Sequence, residues 1–133
     1  MPKVYISNGE LIDKWTILLI KLEKLTDTKQ VLNINTEIKL IREDVNQIEQ
    51  SFLIDKEILD LKQANLIIWN LMDELYTIKS PNLEYGKICF EVVKLNQRRS
   101  FIKREIDQKT KENFNEEKSY FSQTDWIISD EHD

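Results

Sequence analysis

Glycine and proline are almost missing from this chain: Gly9, Gly86, Pro2 and Pro81 are the only ones among 133 residues. Sandwiches, barrels and α/β folds need such residues at each of their many turns, so their scarcity points to long helices with few breaks. Long hydrophobic runs are also lacking. WTILLI, the longest near the start, falls far short of the roughly 20 apolar residues that a bilayer demands, and MPKVYISNGE contains no apolar signal region. The chain is therefore expected to be cytoplasmic, neither exported nor membrane-spanning. The one cysteine, Cys89, leaves no internal disulfide and suits a small buried hydrophobe in a helix. The one histidine, His132, is penultimate and a poor general base. There is no glycine-rich phosphate loop, no assembled Ser/His/Asp set and no Cys/His metal spacing. These absences lean away from an enzyme and from a bound cofactor.

What the chain does contain is 41% apolar and 32% charged residues, the mix of a globular protein with one core and a solvated surface. A single helical domain over 1–133 is expected, with an extended start at 1–6, a bundle at 7–113 and an acidic segment at 114–133 packing back on it. The net charge is −5, and 114–133 carry six acids (Glu116, Glu117, Asp125, Asp130, Glu131, Asp133) against Lys118 alone. The body is neutral, which is a poor match for nucleic acid or anionic lipid.

Ser7 stands three residues before Glu10, a capping-box spacing that starts the first helix and accounts for Glu10 by itself. Leu11, Trp15, Leu18, Leu22 and Leu25 form its stripe, while Ile17 and Ile20 lie on the other side. A helix apolar nearly all round is either central in its bundle or part of an interface. The second helix repeats most regularly, through Val31, Ile34, Ile38, Ile41, Val45, Ile48 and Phe52. A third pattern runs from about Asp55 to Ile78 through Ile58, Leu61, Ile68, Met72 and Leu75, until Ser80-Pro81-Asn82 breaks it. The fourth, from about Leu83 to Glu112, carries Ile88, Val92, Leu95, Ile102 and Ile106. The fold class that follows is all-α: an antiparallel bundle of four main helices with a short extended N-terminal segment.

Certain polar residues break this pattern. Arg99 lies within about 30° of the centre of the fourth stripe, so its guanidinium needs an acid partner or a route to water. It is either one half of a structural ion pair or an anion-binding arginine. Arg98, Arg99, Lys103 and Arg104 wrap the helix, a geometry unsuited to tracking a phosphate backbone. Glu10 with Asp13, and Glu57 with Asp60, are spaced i, i+3 and can share a cation, although such pairs arise by chance in an acid-rich chain, and no metal site is expected. Asn65 interrupts the third stripe, where a buried amide more often fixes register than binds a ligand.

Four segments together resemble a family of short bacterial proteins known as a domain of unknown function: SNGELIDKWTILLIKLEKL at 7–25, IIWNLMDEL at 67–75, YGKICFEVVKLNQRRSFIKREID at 85–107 and EEKSY at 116–120. The resemblance covers most of the chain outside the second helix and the last dozen residues. It implies no reaction, substrate or partner, but it marks Ser7, Gly9, Glu10, Asp13, Lys14, Asn96, Arg98, Arg99, Lys103, Arg104, Glu116, Glu117, Lys118 and Tyr120, more charges than packing alone requires. Glu10, Asp13, Lys14, Asn96, Arg98, Arg99, Lys103, Glu117 and Lys118 are accordingly the candidate ligand-binding residues. Arg99 is expected to pair with Glu10 or Asp13, or with Glu116 or Glu117.

Two functions fit. The first is a helical adaptor or homo-oligomer, suggested by the apolar surplus of the first helix and by Trp126, Ile127 and Ile128 in the acidic tail. The second is a small-molecule or phosphate-binding protein that uses Arg98, Arg99 and Lys103 for an anion and Glu10 and Asp13 for a cation.

Overall fold

A computed structural model describes residues 4–111. The expected all-α class holds: the elements are α1 (Asn8–Lys24), α2 (Thr28–Ser51), α3 (Asp55–Thr77) and α4 (Leu83–Lys109), with no strand among the described residues. The β-prone residues Val4 to Ile6 lie outside any regular element, with Val4 and Tyr5 largely exposed. The acidic segment at 114–133, and with it Glu117 and Lys118, lies outside the described residues.

Side chains mark three of the four helix starts. Ser7 Oγ accepts from the Glu10 amide at 3.2 Å, Asp27 Oδ2 from Gln30 at 3.3 Å and Asn82 Oδ1 from Tyr85 at 2.8 Å. Each satisfies an amide that has no partner within its own helix. No side chain caps α3, whose first turn instead carries Asp55 and Glu57, favoured there by the helix dipole.

α1 is the central element and packs against α2, α3 and α4. That position explains its burial on several sides, with Ile12, Leu18 and Ile20 all nearly inaccessible. The regular stripe of α2 faces α1: Ile34 and Ile38 pack with Leu18, while Val45 and Ile48 join Ile12, Ile54, Leu61, Ile102 and Ile106 in the main core. Trp15 touches both clusters. The cross-links between α1 and α4 run in opposite chain directions, from Asn8 to Thr110, Gly9 to Asp107, Glu10 to Lys103 and Asp13 to Arg99.

The start of α1 can approach α4 closely because residue 9 has no side chain. A Cβ there would strike the backbone carbonyl of Lys103 and come within 2.9 Å of Asp107 Oδ1. Gly86, by contrast, has nothing within 4 Å of the corresponding position. Gly9→Ala should therefore lower stability by roughly 1–3 kcal/mol through overpacking, whereas Gly86→Ala should raise it by up to about 1 kcal/mol through helix propensity. Urea unfolding of the two variants checks the opposite signs.

Candidate functional site

The seam between α1 and α4 is polar along its whole length. At its base Asn8 is buried and donates to Thr110 Oγ1 at 2.9 Å, and that hydroxyl itself donates to the Ile106 carbonyl at 2.7 Å. One step along, the Gly9 amide donates to Asp107 Oδ1 at 2.7 Å. Burial pushes the Asp107 carboxyl above its usual range, against the opposing pull of hydrogen bonds from the Gly9 amide and the Ser7 hydroxyl. Nearby Glu10 pushes it further up, and Lys103 holds it back.

Glu10 Oε1 meets Lys103 Nζ at 2.8 Å. Its carboxylate thus ties α1 to α4, which corrects the expectation that capping accounts for this residue by itself. Two turns up α4 from Asp107, Arg99 grips Asp13 with two bonds: Nη2 to Oδ2 at 2.6 Å and Nε to Oδ1 at 3.3 Å. The pairing with an α1 carboxylate is thus present, and the acid is Asp13. Asn65 of α3 donates to Asp13 Oδ1 and to Thr16 Oγ1, both at 2.8 Å, while Thr16 donates to the Asp13 carbonyl. Asn96 Oδ1 accepts from Arg99 Nη1 at 3.0 Å. Three helices therefore meet on one buried carboxylate.

The other candidates lie apart from this centre. Lys14 points to Glu37 of α2 at 3.6 Å, and Arg98 reaches Asp60 of α3 at 3.8 Å; both cations are more than half exposed. Buried Glu57 is held by Lys109 at 2.6 Å, and that bond keeps its carboxyl below the usual range. The acids at 57 and 60 are thus each engaged by a cation, and among the described residues no group of three or more His, Cys, Asp or Glu could hold a metal. Sequence reasoning did not mark Asn8, Thr16, Asp107 or Thr110. The signal was present at Asp107, a carboxylate eight residues past Arg99 and thus near the same helix face.

Beside the Asp13 centre lies a cavity of about 340 Å³, walled by Trp69, Met72 and Tyr76 of α3 and Ile17 and Ile20 of α1, with Asn65 and Arg99 on its lining. Cys89 is half-buried on α4. No described helix is long and apolar enough to cross a membrane. No family model matches this chain, and neither a curated protein nor a solved structure shows significant similarity to it.

Two outcomes test the seam. Arg99→Met strands a buried carboxylate and should cost roughly 3 kcal/mol, while Asp13→Leu combined with Arg99→Met should recover part of that loss; chemical denaturation of both variants measures it. Asp107 binds its proton more tightly in the folded state than in the unfolded one. Its contribution is therefore fully present below the ordinary value of 3.8 and is lost as pH rises through the raised value. The stability of the native chain relative to Asp107→Asn should accordingly fall as pH rises through that window, read from urea midpoints across acidic pH.

Proposed function

We propose that the protein is a helical interaction module that receives an apolar, acidic protein segment on the outer face of α4. The observation that carries this reading is an uncovered stripe. Leu83, Phe90, Val93 and Phe101 are 76%, 58%, 56% and 55% exposed, and at 100° per residue they fall within about 80° of one another. That stripe is nearly opposite Ile88, Ile102 and Ile106, the face that α4 buries. Exposed Lys87, Lys94 and Arg98 lie along it beside exposed Glu84 and Glu91; Lys94 Nζ is 5.6 Å from the centre of the Phe90 ring and 3.7 Å from Glu91 Oε1, and Arg98 reaches Asp60 at 3.8 Å. Exposed apolar side chains gathered on one helix face mark interaction sites, and a surplus of lysine and arginine among them favours acidic partners.

The apolar surplus of α1 does not supply such a surface, because its three neighbours use it. The charged residues of the seam support the same reading by their mutual engagement: Glu10, Asp13, Arg99 and Lys103 neutralise one another. An adaptor needs a rigid frame, and these pairs hold one together.

The test uses a synthetic helical peptide that carries Glu on one face and Leu and Trp on the other. It should bind the full chain more weakly as salt rises. Phe90→Ser with Phe101→Ser should abolish binding while changing stability by no more than about 1 kcal/mol, since both rings are more than half exposed. Undiminished binding by that variant would refute the reading.

The cavity beside Arg99 favours a second reading, a small apolar ligand with one polar end held against Asn65 and Arg99. A thermal-shift screen tests it: a ligand at 100 times its dissociation constant should stabilise by about 2.7 kcal/mol.

A further inference from the structure

We infer that the cavity between α1 and α3 binds a small organic cation, an apolar amine whose ammonium group sits at Asp73 beside Trp69 and Tyr76 and whose far end presents a hydroxyl to Asn65. This inference rests on the ligand reading above and gives the class of ligand.

The charge of the site is set by what its neighbours leave unmatched. Asp73 and Arg99 are the charged residues on the lining of this cavity of about 340 Å³. The Arg99 guanidinium is already offset by the Asp13 carboxylate at 2.6 Å. Asp73, by contrast, is exposed and takes part in no ion pair or hydrogen bond among the described residues. Lys24 reaches the same stretch of α3 but bonds Asn70, at 3.1 Å. A negative charge therefore stands uncompensated at the edge of the cavity, and it attracts cations.

The rings around it favour the same ligand. Trp69 lies four residues before Asp73 and Tyr76 three after it, so the three share one face of α3, and all of them line the cavity. An aromatic ring attracts an ammonium through its quadrupole, and the indole of tryptophan does so best. Further in the lining is apolar, with Ile17 and Ile20 from α1 and Ile68 and Met72 from α3, which suits a hydrocarbon or aryl body.

At the inner end Asn65 is 6% exposed. Its amide nitrogen donates to Asp13 and to Thr16, while its side-chain carbonyl oxygen accepts from no other described residue. A buried acceptor without a donor is costly, so a ligand that ends in a donor gains by supplying one. Arg99 keeps donors in reserve on the same lining, since a guanidinium has five N–H groups and three bonds engage them here. A hydroxyl matches both residues, donating to Asn65 and accepting from Arg99. Eight residues at 1.5 Å each set Asn65 and Asp73 about 12 Å apart along α3. An aromatic ring with a two-carbon arm, and a hydrogen bond of about 2.8 Å at each end, is of that length.

The experiment titrates the full chain, followed by amide NMR, with probes built on one body. Tyramine has both the ammonium and the hydroxyl, phenethylamine lacks the hydroxyl, para-ethylphenol lacks the ammonium, and para-hydroxyphenylpropionate puts a carboxylate in its place. Tyramine should bind most tightly, with shifts at residues 17–20 and 65–76, and the carboxylate most weakly. Asp73→Asn, at an exposed position that leaves the fold intact, should lower tyramine affinity by roughly tenfold, the loss of a hydrogen bond to a charged group. The same variant should bind para-ethylphenol as the native chain does. Para-ethylphenol or the carboxylate binding as tightly as tyramine overturns the cation and leaves the ligand reading standing. Tyramine binding that Asp73→Asn does not weaken, or shifts confined to other parts of the chain, overturns the inference as well. Phenethylamine binding as tightly as tyramine overturns the hydroxyl at Asn65. Binding by none of the probes overturns the inference and the ligand reading together.

Discussion

A single buried carboxylate determines how the helices are set against one another. Asp13 is 5% exposed and must be matched wherever the chain places it, because an unpartnered charge in a core costs several kcal/mol. Arg99 answers from α4 and Asn65 from α3, so the rotation of both helices about their axes is specified relative to α1. Apolar packing alone tolerates small rotations and slips, whereas a two-bonded arginine does not. The rotation also has an outward consequence. Once Arg99 points at α1, the residues on the far side of α4 must face solvent, and those include Phe90, Val93 and Phe101. The exposed stripe is thus a result of the same geometry that satisfies Asp13.

The remaining seam contacts repeat this division of labour at lower cost. Gly9 lets the two backbones approach, its amide feeds Asp107, and Asn8 closes the end on Thr110. Glu10 and Lys103 are partly solvated, so their pair contributes less than the buried one and chiefly aligns the helices. A site for a charged ligand within the seam would need at least one of these charges to be free. Both carboxylate oxygens of Asp13 are held by protein donors, and three nitrogens of Arg99 are bound to Asp13 and Asn96. The charges of the seam are thus engaged with one another and hold α1, α3 and α4 together.

Much of this fold was legible in the sequence because the two strongest signals are local. The seven-residue rhythm of α2 predicted its buried face residue by residue, and Ser7 and the break at Pro81 located helix ends within a residue or two. Arg99 was legible for a different reason: a charge on an apolar stripe demands a partner, and few acids were positioned to supply one. The second stripe of α4 was not legible, because the first stripe already accounted for a packed helix, and nothing in a linear pattern says which of two apolar faces is covered. Glu10 misled for the opposite reason. A sufficient local explanation, capping, hid a contact with Lys103 that lies 93 residues away.

That α4 has two apolar faces follows from the arrangement of the elements. Among the described residues α4 packs chiefly against α3 and α1, and Ile102 and Ile106 join α2's Val45 and Ile48 in the main core, while Leu83, Phe90, Val93 and Phe101 stay exposed. A polar outer face would have been the simplest sequence for such an edge helix, and phenylalanine there costs solubility without adding to the core. Rings at three turns' separation, with lysine and arginine between them, suit a surface that is covered for part of the time. On the proposed reading, the apolar stripe would provide binding energy that salt does not remove, and the lysine and arginine surplus would provide selection and speed of encounter that salt does. Removing the rim charge should therefore change which segments dock and how fast, whereas removing the rings should change whether anything docks at all.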